Sequence, residues 1–199
     1  VWMLLTAGPA LAQVPVEAPV PQVPVAAPVG TPVPVQPLVW TEAAAREVLA
    51  SVQASAAEGL SPEEYGLARL EAALAGTDRA ETAAAANLAE AASAAEASWM
   101  ALARDYAAGH TPLSARRGWK GPALRSDPEW LRAKLADGLL EGGPAAAVQA
   151  LLPSHPHYAL LKKALAEAAP ADRALIRANL DRWRWLPRML GDRYLMANL

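Results

Sequence analysis

Residues Leu88–Tyr106 read LAEAASAAEASWMALARDY. Leu88, Ala92, Ala95, Trp99, Leu102 and Tyr106 follow one another at alternating spacings of four and three, which is one continuous helical seam. The pattern predicts a long alanine-rich helix, or two in succession, over roughly Asp78 to Ala108. Alanines in the seam let neighbouring backbones approach closely, while Trp99 and Tyr106 fill its wider end. The run is short for a free coiled-coil dimer and lacks ordered flanking charge pairs, so an intramolecular helical core is expected.

Upstream, Thr41 is placed to cap a first helix carrying Val48, Leu49 and Val52 on one face, and Gly59 ends it. Ser61-Pro62-Glu63-Glu64 reads as a second start: serine at the cap, proline at the first position and Glu64 three residues on. Tyr65, Leu70 and Leu74 are its packing candidates, and Gly76 closes it. Downstream, Gly109–Ser126 is a loop rich in glycine, proline and positive charge. Asp127-Pro128-Glu129 then opens a helix with Trp130, Leu131, Leu135 and Leu139 inward. Gly142-Gly143-Pro144 breaks it, and a short helix runs to Leu152. After Pro153 and His155-Pro156-His157-Tyr158, Leu160, Leu161 and Leu165 carry the next helix. Pro170 separates that from a last one bearing Leu175, Ile176, Leu180 and Trp183. No internal strand pair is evident, so the fold class is mainly α: a multi-helix orthogonal or bundle-like domain over residues 40–189.

Composition narrows the function classes. The 53% hydrophobic fraction is largely alanine, there is no phenylalanine, and leucine with seven tryptophans supplies the large apolar anchors. A net charge of -2 and a pI near 6.0 argue against a nucleic-acid binder. Without cysteine, disulfides, thiolate metal sites and a cysteine nucleophile are excluded within these residues. His155 and His157 are two apart with a proline between, which suits capping or loop roles better than shared metal ligation. His110 stands alone and reads as structural. Glu63 and Glu64 suggest a carboxylate acid for glycan cleavage, but capping already accounts for Glu64. No phosphate loop or serine–histidine–acid arrangement is identifiable. No cofactor and no metal are expected.

The flanks are different in kind. Residues 1–12, VWMLLTAGPALA, form a short apolar run ending in Ala10-Leu11-Ala12, the small-residue pattern that signal peptidase accepts; they are expected to be the remnant of a signal peptide. The run is too short to span a bilayer, so no stable transmembrane helix is expected in the mature form. Residues 13–39 are a Pro/Val/Ala-rich linker: eight of the chain's 18 prolines fall between Gln13 and Pro37. Proline removes donors and fixes φ, which makes this an extended tether of roughly 75 Å when stretched. Export implies a periplasmic or cell-envelope location.

At the other end, Asn179–Leu199 reads NLDRWRWLPRMLGDRYLMANL. Trp183 and Trp185 alternate with Arg182, Arg184 and Arg188, and Pro187 and Gly191 are breaks. Residues 190–199 are expected to be a single unpaired strand. Spacing from Ile176 and Leu180 predicts that Trp183 is more buried than Trp185. Arg116, Arg117 and Lys120 around Trp119 form a second basic aromatic stretch, a candidate contact for an acidic or sugar-rich polymer.

Four stretches together resemble the helical scaffold domain of the large L,D-transpeptidases of peptidoglycan. They are EGLSPEEY (58–65), RDYAAGHTP (104–112), LLPSHPHYALLKKAL (151–165) and NLDRWRWLPRMLGDRYLMAN (179–198), the last being the most specific. The resemblance implies an exported cell-wall enzyme that cross-links peptide stems by acyl transfer. A cysteine thiolate attacks one stem after its meso-diaminopimelate residue, and an amine of a neighbouring stem resolves the acyl-enzyme. The family's serine-histidine-glycine-cysteine motif has no counterpart here. The small peptidoglycan-binding-like module that many members carry before the tryptophan–arginine segment is absent too, since only about a dozen residues separate Leu165 from Asn179. What carries over is the scaffold, with residues 190–199 as the first strand of a missing C-terminal catalytic domain, its partner. Under this resemblance Asn179, Leu180, Arg182, Trp183, Arg184, Trp185, Leu186, Pro187, Gly191, Arg193 and Tyr194 are family-signature residues at a domain interface, and peptidoglycan is reached through the parent enzyme. The alternative is a stand-alone periplasmic helical module that binds wall polymer or a partner protein.

Overall fold

A computed structural model describes residues 38–77 and 84–189. The expected signal remnant, nearly all of the linker and the expected strand at 190–199 therefore lie outside the described residues. Seven α-helices are described: α1 (Glu42–Ala54), α2 (Leu67–Thr77), α3 (Ala84–Ala108), α4 (Pro128–Leu140), α5 (Gly143–Gln149), α6 (Pro156–Glu167) and α7 (Pro170–Arg184). No strand occurs among the described residues, and the fold is mainly α. Among them no helix is long and apolar enough to cross a membrane.

The 25-residue α3 is the axis. It packs against α1, α2, α4 and α5, so a wide arc of it is enclosed. Ala95, Trp99, Leu102 and Tyr106 of the expected seam are buried, while Leu88 and Ala92 are half-buried. Ala91, Ala94, Ser98, Ala103 and Ala107 are buried as well, because partners on several sides need more than one stripe. The Trp99 indole N–H donates to the Pro144 carbonyl at 2.8 Å, which ties the centre of α3 to the start of α5.

Thr41 caps α1 as expected, its Oγ1 accepting from the Ala44 N–H at 3.1 Å. The second start departs from expectation. Pro62–Tyr65 forms only a 3-10 turn, Ser61 makes no side-chain cap, and Gly66 at φ 73° separates the turn from α2. The Ser61 hydroxyl instead accepts from Arg177, so a tertiary contact has displaced the local one. Asp127 does cap α4, accepting from the Trp130 N–H at 2.9 Å. Near the other end of α4, Gly138 lets α4 and α5 touch: a Cβ there would lie 2.6 Å from the Ala147 methyl.

Two apolar clusters result. The larger is built by α1–α5 with Leu60, Tyr65 and Leu151. The smaller joins Tyr158 and Leu165 of α6 to Leu180 of α7, with Leu161, Ile176 and Trp183 against them. Leu152 touches both clusters. Leu160 and Leu175, expected on the packing faces, are 61% and 64% exposed. The buried faces run through Tyr158, Leu161 and Leu165, and through Ile176 and Leu180; a shift of one residue moves a side chain about 100° round the helix.

Candidate domain interface at the arginine–tryptophan segment

The segment at the end of α7 is an array of side chains on backbone acceptors. Arg184 lies between the two tryptophans and is fully buried. Its guanidinium donates to the Tyr158 hydroxyl from Nε (3.1 Å) and Nη2 (2.9 Å), and also to the Glu58 carbonyl. Glu58, itself 3% exposed, accepts from the Tyr158 hydroxyl at 2.7 Å and pairs with Lys162. The two protein halves meet on this carboxylate: it closes the 3-10 turn after α1, and both its partners belong to α6. Burial, opposed by Arg184, pushes the Tyr158 hydroxyl above its ordinary pKa, so it stays a donor.

Arg188 serves the end of α3. Its Nη2 donates to the carbonyls of Tyr106 (2.8 Å), Ala107 (2.8 Å) and Leu151 (2.7 Å), groups that a helix end and a turn leave without partners. Burial lowers its pKa, opposed by Tyr158. Arg116 completes the same cap, donating to the carbonyls of Thr111 and Ala108 while its guanidinium lies 4.7 Å over the Trp185 ring.

Asp181 organises the other side. It accepts from the backbone N–H groups of His110 (2.6 Å) and Thr111 (3.1 Å) and from the Trp185 indole (3.2 Å). Trp185 in turn presses on Gly109. That glycine has φ +90°, and a Cβ on it would collide with the indole.

Asn179, Leu180, Arg182, Trp183, Arg184, Trp185, Leu186 and Pro187 thus lie in one continuous segment, while Gly191, Arg193 and Tyr194 lie outside the described residues. Arg182 is exposed and donates to the Asn179 side chain at 3.1 Å. Trp183 is half-buried on the smaller cluster and stacks on His155, 4.7 Å between ring centres. Trp185 is half-buried as well, while the arginine between the two indoles is fully enclosed, as is Leu180. Of the basic loop, Arg116 is buried, Trp119 is half-buried with its ring edge-on to Trp185, and Arg117 and Lys120 are exposed. His155 caps α6, accepting from the His157 N–H at 3.2 Å.

Sequence reasoning passed over Glu58, Asp105 and Asp181 as interior groups. A signal existed: Glu58 extends the Val48–Val52–Ser55 face, and Asp105 the Ser98–Leu102 face. A charge on an apolar face needs a partner from elsewhere in the chain. Beside the segment, a concavity of about 660 Å³ lies between α4, α5 and Arg188, walled by Trp130, Lys134, Asp137, Glu141, Ala147 and Leu151. Among the described residues no group of three or more His, Cys, Asp or Glu side chains is placed to hold a metal ion.

Fold and site together define an all-helical module whose buried charges are committed to joining its own parts. The family model described as Scaffold domain matches residues 36–165, and the chain belongs to that scaffold-domain family. No curated protein and no solved structure matches the chain significantly.

Proposed function

We propose that these residues are the non-catalytic scaffold portion of an exported L,D-transpeptidase, an enzyme that cross-links peptidoglycan stems by cysteine acyl transfer. The observation that carries the reading is the scaffold-family match over 36–165, which contains three of the four stretches on which the resemblance rests. The use of the fourth agrees with it: Arg184 and Arg188 anchor the end of α7 to four other parts of the fold, as a rigid connector requires.

On this reading the nucleophile belongs to a domain outside these 199 residues. Its thiolate adds to a stem carbonyl, expels the terminal residue's amine and forms a thioester. The amine of a second stem then displaces the thiol and completes the cross-link. Residues 1–12 act as export signal and 13–39 as tether, which places the helical part in the periplasm. The test is muropeptide analysis of cells with and without the complete gene. Loss of stem-to-stem links after diaminopimelate on deletion is expected; an unchanged profile overturns the reading. Pull-down of the 199-residue chain on purified sacculi separates the alternative, because a scaffold binds little and a wall-binding module, using Arg117, Trp119 and Lys120, binds strongly.

A further inference from the structure

Ser55 and Tyr106 are completely enclosed, yet neither Ser55 Oγ nor Tyr106 Oη has a hydrogen-bond partner among the described residues. They do not bond each other either. Interior hydroxyls are satisfied by protein groups or by ordered water, because desolvation without a bond costs stability. Both belong to the neighbourhood of Glu58. Ser55 opens the 3-10 turn that Glu58 closes. Side chains three apart in such a turn eclipse one another, so the serine hydroxyl lies on the side of the buried carboxylate. Tyr106 approaches the same carboxylate from α3: burial, then the Glu58 charge, raise its hydroxyl above its ordinary pKa, opposed by Arg184. The hydroxyl therefore keeps its proton and needs an acceptor. The Arg184 guanidinium lies 5.8 Å from the ring centres of Tyr106 and Tyr158 alike. Glu58 is bonded through Oε2 to Tyr158 and through Oε1 to Lys162, and each of these oxygens retains a second acceptor site.

We propose that Ser55 Oγ, Tyr106 Oη and the Glu58 carboxylate form a binding site for one internal water molecule, at the joint between α1, α3 and α6. Two enclosed hydroxyls that do not reach each other need a bridge that donates, accepts and is very small, and water meets all three conditions. The water accepts from the tyrosine hydroxyl, donates one hydrogen to the carboxylate and gives the other to the serine oxygen. That makes three bonds, the usual number for a buried water. The same carboxylate takes Tyr158 and Lys162 of α6, so the water links the end of α1 and α3 to the contact that holds α6.

Two measurements on the 199-residue chain test this. The first is a double-mutant cycle in denaturant titration with Tyr106→Phe, Ser55→Ala and the two combined. Each single substitution should lower the folding equilibrium constant about five-fold. The second, added to the first, should cost clearly less, because one water serves both hydroxyls. If the hydroxyls are simply left without partners, Tyr106→Phe is neutral or stabilising and the two effects add, which overturns the site. The second measurement is water-selective NMR of the unaltered chain. Cross-peaks from a long-lived water to protons of Ser55 and Tyr106 are expected, and they should vanish in Tyr106→Phe. Absence of that signal in the unaltered chain overturns the site as well, and this reading stands even if a variant fails to fold.

Discussion

The α1–α5 core and the α6–α7 hairpin are both helical, yet they are held in different ways. The core is joined by apolar contact around α3, with Trp99, Leu102 and Tyr106 fully enclosed. The hairpin encloses only Tyr158, Leu165 and Leu180 in a cluster of its own. It is attached to the core by charged side chains reaching backbone acceptors: Arg177 to Gly59, Arg184 to Glu58, Arg188 to Tyr106, Ala107 and Leu151. Apolar burial is non-directional and tolerates small shifts. Bonds from a guanidinium to fixed carbonyls do not, so the hairpin is set in one orientation at the cost of depending on a few groups.

The largest expected effect breaks the core. Trp99→Ala removes the central side chain and the bond to Pro144, and should cost about 3–5 kcal/mol in denaturant titration. Both regions should lose protection together, because the hairpin has nothing to dock on. If amides of α3 exchange no faster in this variant, the core does not depend on that indole.

Arg184→Met keeps much of the volume but leaves the Glu58 carbonyl and Tyr158 hydroxyl short of a buried donor. The expected loss is about 2–3 kcal/mol, and it should be local: amides of α6 and α7 exchange faster while those of α3 keep their protection. Uniform acceleration would mean that the two regions form one cooperative unit.

Gly109→Ala strikes the contact between them. A left-handed conformation at a non-glycine residue costs about 1–3 kcal/mol, and here the added methyl also displaces the Trp185 ring. Tryptophan fluorescence should report that displacement, and an unaltered spectrum at full stability would refute the account of Gly109.

The smallest effect lies within the core alone. The Arg125 side chain, and then the Trp130 backbone N–H, hold the Asp127 carboxyl below its ordinary pKa. Its folded pKa is depressed, so its contribution is present above the usual carboxylate range and is lost as pH falls through the lowered value. Asparagine caps equally well. Asp127→Asn should therefore keep α4 and flatten stability against pH only in that acid window. A flattened profile at neutral pH would contradict the assignment.

The core was legible because its information is local and periodic. The seam in Leu88–Tyr106, the caps Thr41 and Asp127 and the glycine breaks each declare themselves within a few residues. The capping box at Ser61 failed for the same reason in reverse: a local pattern was overridden by Arg177 from over a hundred residues away. Leu160 and Leu175 failed because an apolar residue beside a face resembles one on it. In the arginine–tryptophan segment, spacing from Ile176 and Leu180 placed Trp183 on the apolar face, and it does pack on the smaller cluster, but spacing gave no sign of its neighbour. Arg184, between the two indoles, is fully enclosed. A buried guanidinium is possible only where carbonyls and hydroxyls from elsewhere meet its donors, and no spacing along the chain records that meeting.

By itself, then, the sequence determined the helical class, where most helices start and stop, and the apolar axis along α3, since backbone sterics, capping and hydrophobic periodicity act over short distances. Only the tertiary structure decided which charges go inside and which side chains meet: Glu58 with Tyr158 and Lys162, Asp181 with His110, Arg188 with the end of α3. Those pairings join residues far apart in the chain, and desolvation makes each one favourable only when every partner is in place.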